Sequence, residues 1–153
     1  MFKKTSDSFF DYDAPNIYKN KKLDVVFIDG MHTYTQSLKD AKNSLRFLND
    51  NGVIIFHDCN PQSPEAATSH LPSKKINWNG DVWKTIYHFR HLSNDFDCFT
   101  YEDDEGLGVL KMKKGTSPLT VSKLDPLSHI NNLNFYDLQK NRDEYLGLKK
   151  LES

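Results

Sequence analysis

The chain has 153 residues, 37% hydrophobic and 27% charged, enough for one domain with a modest core and not for two. Lys and Arg total 20 against 21 Asp and Glu, so a net charge of -1 gives no electrostatic case for nucleic acid or an anionic membrane as partner. No apolar run approaches the ~20 residues of a membrane-spanning helix, the opening MFKKTSDSFF has no signal-peptide core, and two distant cysteines, Cys59 and Cys98, spell neither a zinc site nor a disulfide framework, so a reducing cytoplasm is the expected location.

In TSDSFFDYD, Ser6 is a candidate N-cap and Phe9 and Phe10 are apolar anchors, which predicts a short helix. DAPNIYKNKK reads as a polar connection. Leu23 to Ile28, apolar without a break from Val25 onward and β-branched, has the pattern of a strand buried on both faces. Thr33 with Gln36 fits a capping box, and Tyr34, Leu38, Ala41, Leu45 and Leu48 recur along one helical face. NDNG ends that helix, with Gly52 free to take positive φ, and Val53 to Phe56 follows as a second buried strand. Strand, helix and strand with short links form a βαβ unit, hence parallel strands.

Residues 60–79 read as a long loop, of the kind that is often functional. Asp81 can cap the next helix, which Val82, Ile86 and Phe89 make amphipathic. DCFTYEDDEGLGVLKMK predicts a hairpin around an acidic turn, Glu102 to Glu105, expected to be a solvated hairpin end. Residues 114–132 look irregular, and NFYDLQKNRDEYLGL predicts a terminal helix capped by Asn134 and anchored by Phe135, Leu138, Tyr145 and Leu146.

The chemistry gathers at the two strand ends, DVVFIDGMH and GVIIFHDCN. In open parallel sheets, ligands bind beyond the carboxyl ends of the strands. Asp29 and Asp58 end the two strands, Gly30 lets a ligand approach without a Cβ in the way, and His32, His57 and Asn60 add donors. Carboxylates, imidazoles and an amide oxygen suit a divalent cation or a polarised hydroxyl. Plainer roles stay open: Asp29 or Asp58 capping a turn, His57 packed and hydrogen-bonded, His32 a loop residue. Trp83 is expected to pack, Trp78 to pack or line the crevice, and Cys59 with His57 is a remote candidate for a nucleophile.

The run DVVFIDGMHTYTQSLKDAKNSLRFLNDNGVIIFHDCNP resembles the second half of class I S-adenosylmethionine-dependent methyltransferases, within them the small bacterial methyltransferase-domain family with FIDG-x-H and HDC signatures. TSDSFF, WNGDVWK, GLGVLK and NRDEYLGL extend the likeness over nearly the whole chain. The resemblance implies an α/β, partial Rossmann-like sheet in which Leu23–Ile28 and Val53–Phe56 are strands four and five and the hairpin supplies six and seven, the last antiparallel. It implies residues 1–113 as the partial methyltransferase domain, with 114–153 packed on it. It implies S-adenosylmethionine as cofactor beside Asp29, Gly30 and Met31, and a small molecule or sugar as acceptor. His32 and Asp29 are then the catalytic candidates, and Asp29, Asp58 and His57 the candidate ligands of a divalent metal such as magnesium.

The chain departs from that family in one respect. The glycine-rich turn after the first strand, and the acidic residue that ends the second, have no counterpart before Asp24. The expectation is therefore a C-terminal half: a fragment, a remnant, or one member of a pair with a chain that supplies the first strands. The exposed flank of Leu23–Ile28 would favour association, including a homo-oligomer. The rival readings are a domain that associates without binding the cofactor, and a metal-dependent hydrolase-like site.

Overall fold

The computed structural model describes residues 3–73, 76–92, 94–116 and 124–151. The N-terminal segment winds through α1 (Ser6–Ser8), a π turn (Phe9–Asp13) and α2 (Ala14–Ile17). Thr5 rather than Ser6 is the cap, its hydroxyl accepting from Ser8 N at 3.2 Å. The expected polar connection is helical as far as Ile17, because Pro15 falls in the first turn of α2, where a missing N–H costs nothing. Phe10 and Ala14 pack against Phe47 in a small cluster of their own.

The predicted βαβ unit forms: β1 (Leu23–Ile28), α3 (Tyr34–Leu45) and β2 (Leu48–Phe56), with β1 and β2 parallel. Its boundaries differ from the sequence reading. Leu48 belongs to β2, where it pairs with Leu23. From Leu48 to Val53 β2 spends five residues against two in β1, so the irregularity lies in β2. Gly52 sits inside this bulge and is not at positive φ. A Cβ there would meet Leu48 Cγ at 2.7 Å and Leu23 O at 2.9 Å, so glycine serves close packing and not a turn. Gln36 also departs from the expected box. Its backbone N–H donates to Thr33 Oγ1 at 3.4 Å, but its side chain reaches Ser6, Asp7 and Asp40.

The chain continues through α4 (Trp83–Leu92) and a hairpin of β3 (Phe96–Tyr101) and β4 (Leu107–Met112). Then come α5 (Ser128–Asn131), α6 (Phe135–Lys140), α7 (Arg142–Leu146) and β5 (Leu148–Lys149). The expectation of irregular chain over 114–132 falls partly on residues outside those described, and α5 occupies its end. The predicted terminal helix is interrupted at Asn141. Asn134 caps α6 in a full capping box with Asp137.

The sheet order is β1-β2-β4-β3-β5, with β4 antiparallel to both neighbours. One core joins Ile28, Ile54, Phe56 and Leu110 to Tyr34 and Leu38 of α3, Trp83, Ile86 and Phe89 of α4, and Leu138 and Leu146 of the tail. Burial of each such side chain contributes about 1.5–3 kcal/mol. β1 is not buried on both faces as expected. It is an edge strand, and Val25 and Phe27 are 58% and 57% exposed on the face opposite Ile28. Mixed α/β layering of this kind is that of a Rossmann-like fold.

His88 lies inside this core, where its Nδ1 is hydrogen-bonded to Tyr34 Oη at 2.7 Å and that hydroxyl accepts from Leu127 N at 3.2 Å. Burial and the nearby His129 lower its pKa from 6.5 to about 4. Between those values the unfolded chain holds a proton that the folded chain does not. Stability should therefore fall by about 3 kcal/mol as pH drops from 6.5 to 4, and urea unfolding of His88→Gln should show a flatter slope across that window. A second check concerns the β2 bulge. Gly52→Ala should cost about 1–3 kcal/mol in urea unfolding, whereas Gly30→Ala, with nothing within 4 Å of its Cβ position, should cost little.

Candidate active site at the ends of β1 and β2

Parallel pairing of β1 with β2 brings Asp29 level with His57, one step beyond the Ile28↔Phe56 pair. The chain then turns sharply. Asp58 has φ 61°, in the left-handed region where Asp is among the few side chains tolerated. That turn lets Cys59 N and Asn60 N donate to Gly106 O (3.0 Å) and Glu105 O (2.8 Å), which docks the hairpin tip against the end of β2. Asp104 and Glu105 at the tip are also left-handed, and Gly106 N closes the turn on Asp103 O. The acidic turn is exposed, as expected of a hairpin end, and it also borders the site: Asp104 Oδ2 lies 3.4 Å from His57 Nε2.

The segment after the long loop covers the other side. Gly80 (φ 68°) packs on His32 so closely that a Cβ would fall 1.7 Å from His32 O. Asp81 N donates to that same oxygen at 3.2 Å. The Asp81 side chain caps α3, accepting from Tyr34 N at 2.6 Å, and pairs with Lys84 at 3.1 Å. The His32 ring stacks on Trp78 at 5.2 Å, and His32 Nδ1 lies 2.9 Å from Trp78 O. A carbonyl only accepts, so Nδ1 donates to Trp78 O, while Nε2 faces Asp29 Oδ1 3.4 Å away.

Four of the expected site residues therefore meet. Asp29, His32 and Asp58 each offer one ligand atom, all within 4.8 Å of one another. His57 Nδ1 lies 3.0 Å from Asp58 Oδ2 and 3.5 Å from Asp29 Oδ1. Burial opposes protonation of His57, but the hydrogen bond and charge of Asp58, with Asp29 and Asp104 behind it, prevail and raise its pKa. Asn79 donates to Asp58 Oδ1 at 2.9 Å and to Glu105 at 3.2 Å. Asn79 Oδ1 is buried and finds no donor among the described residues. The two carboxylates and the imidazole form an oxygen–nitrogen donor set of the kind that suits magnesium, manganese or zinc.

The remaining candidates stand apart. Gly30 and Met31 border open space, and Met31 is largely exposed. Asn60 Oδ1 accepts from Arg142, which also bonds Pro61 O, so that oxygen is already committed. The Cys59 thiol is fully buried and its pKa is pushed well up by burial, which removes it as a nucleophile. For S-adenosylmethionine itself, the described residues offer one wall, the tip of β1, and no backbone cradle beside it. Sequence reasoning missed Asn79, Asp104, Glu105 and Arg142. The N-G dipeptide and the acidic run were visible, but not that their turns fold onto the end of β2.

A family model described as a methyltransferase domain matches residues 1–59, a span that includes β1, α3, β2 and all four converging residues. The match supports a methyltransferase-like function. No curated protein and no solved structure matches the chain significantly. Among the described residues, no helix is long and apolar enough to cross a membrane.

Asp58→Asn keeps the left-handed turn and removes the charge. It should weaken Mn²⁺ binding at least tenfold in calorimetry, with the far-ultraviolet circular dichroism unchanged. Identical titrations of the parent and this variant would remove Asp58 from the site.

Proposed function

We propose that the chain is an S-adenosylmethionine-dependent methyltransferase-like protein that acts on a small molecule or sugar, with the cluster at the ends of β1 and β2 as its acceptor side. The observation that carries this reading is the convergence of Asp29, His32 and Asp58 inside the segment that matches a methyltransferase domain. An antiparallel β4 supports it too: with β1 and β2 taken as strands four and five, the hairpin would supply strands six and seven, the seventh antiparallel.

Methyl transfer asks little covalent chemistry of the protein. The enzyme positions donor and acceptor in line and removes the acceptor's proton. His32 is oriented for that role, because Trp78 O holds the proton on Nδ1 and leaves Nε2 as the basic nitrogen. Asp29, partly exposed beside it, can accept a hydrogen bond from an acceptor hydroxyl and stabilise the imidazolium that forms. Asp58 is held by Asn79 and steadies the ring of its chain neighbour His57. Alternatively, a divalent cation held by Asp29, Asp58 and the same His32 nitrogen would lower the pKa of an acceptor hydroxyl in place of that base. Gly30 and Met31 would border the methyl donor.

A second reading, a domain that associates without binding the cofactor, is favoured by the one-walled cofactor side. A hydrolase-like metal site is the third, favoured by the donor set alone. One titration separates them: S-adenosylmethionine into the folded chain, with and without Mg²⁺. The proposal expects micromolar binding that Asp29→Ala abolishes. Absence of binding from a folded sample overturns the cofactor assignment, and metal binding without it selects the hydrolase-like site.

A further inference from the structure

A second cleft opens between the turn at residues 64–70 and the α5–α6 connection at residues 131–136. Its volume is about 550 Å³, within the size range of small-ligand sites. The floor is buried and the rim is exposed. Asp81 and Lys84 form the floor, at 3% and 6% exposure, while His70, Asn131 and Tyr136 stand at the rim, Tyr136 at 68%.

The floor has hydrogen-bonding capacity to spare. A lysine carries three N–H donors, and a carboxylate about four acceptor sites. Lys84 Nζ faces Asp81 Oδ2 at 3.1 Å and donates to Asn131 O at 2.8 Å. Asp81 accepts from Tyr34 N and faces Lys84. Neither side chain has a further hydrogen-bond partner among the described residues. A donor and about two acceptor sites are thus left on groups withdrawn from water, which is costly unless a hydroxyl completes them. Because Lys84 and Asp81 neutralise each other, the floor offers no net charge to an anion or a cation. A hydroxyl both donates and accepts, so it suits an ammonium and a carboxylate side by side. At the rim, Tyr136 meets Phe135 edge to face at 5.9 Å and is otherwise open. The electron-rich face of such a ring attracts the polarised C–H groups of a sugar.

We propose that this cleft binds a neutral sugar unit, its hydroxyls on Lys84 and Asp81 and one face of its ring on Tyr136. The site is separate from the Asp29–His32–Asp58 cluster, and binding there asks nothing of methyl transfer. One side chain links the two. Thr68 O, on the cleft wall, accepts from the Trp78 indole N–H at 2.7 Å, and the same indole stacks on His32.

Saturation-transfer difference NMR tests this, with the methyl glycosides of glucose, galactose, mannose and rhamnose as probes and inorganic phosphate as the charged competitor. At least one glycoside should bind with a millimolar or lower dissociation constant, and phosphate should not displace it. Tyr136→Ala should weaken that binding at least fivefold with unchanged circular dichroism, since the ring is exposed. Asp29→Ala, in the catalytic cluster, should leave it unchanged. No binding by any of the four glycosides, or displacement by phosphate, overturns the proposal. So does binding that Asp29→Ala weakens or that Tyr136→Ala leaves intact, because such a sugar sits elsewhere on the chain.

Discussion

Asp81 carries a charge into the interior, where an unpaired carboxylate would cost several kcal/mol. One oxygen caps α3 through Tyr34 N and the other faces Lys84 Nζ, which in turn donates to Asn131 O at the end of α5. A single buried group thus ties the first turn of α3, the start of α4 and the tail of the chain together. Its neighbours make the arrangement useful. Gly80 admits close contact with His32, Trp78 fixes the imidazole, and Asn79 reaches Asp58. If Asp81 were displaced, the residues before it would lose their anchor, and with them the geometry at the strand ends.

The site is assembled from three turns that are remote in sequence: after β1, after β2, and at the tip of the β3–β4 hairpin. Three of its residues, Asp58, Asp104 and Glu105, sit in left-handed backbone, which holds only where surrounding contacts over-determine it. Those contacts are the bonds from Cys59 N and Asn60 N to the hairpin tip and the grip of Arg142 on Asn60. The carboxylates crowd together because imidazoles and an amide separate them. Asp29, Asp58 and Asp104 surround His57, and Asn79 bridges Asp58 to Glu105.

Much of this was readable in the sequence, for identifiable reasons. The runs Leu23–Ile28 and Val53–Phe56 are long enough and apolar enough to admit only strands, and the 3–4 spacing from Tyr34 to Leu45 admits only a helix between them. Parallel pairing of those strands puts Asp29 and Asp58 at one edge. The errors fell where tertiary packing overrides local pattern. Leu48 continues the helical spacing but pairs with Leu23 in the sheet. Gly52 looks like a helix stop but fills a bulge. Exposure of Val25 and Phe27 was misjudged because a continuous apolar run says nothing about whether both faces are covered. The hairpin tip and Asn79 depend on loop paths, which hydrophobic periodicity does not describe.

The two thiols were set aside as chemistry, and that inertness has a use of its own. Cys59 lies directly after Asp58 and behind the docked hairpin, its sulfur against the space that Gly108 leaves, while Cys98 sits in β3 with a pKa pushed up to about 12. A buried, protonated thiol reacts with an alkylating reagent only while the structure around it is open. The chain therefore holds two natural clocks. Cys59 would count the partings of the hairpin tip from the end of β2, and Cys98 the openings of the sheet around β3. The ratio of their labelling rates would measure how often the crevice breathes relative to the sheet.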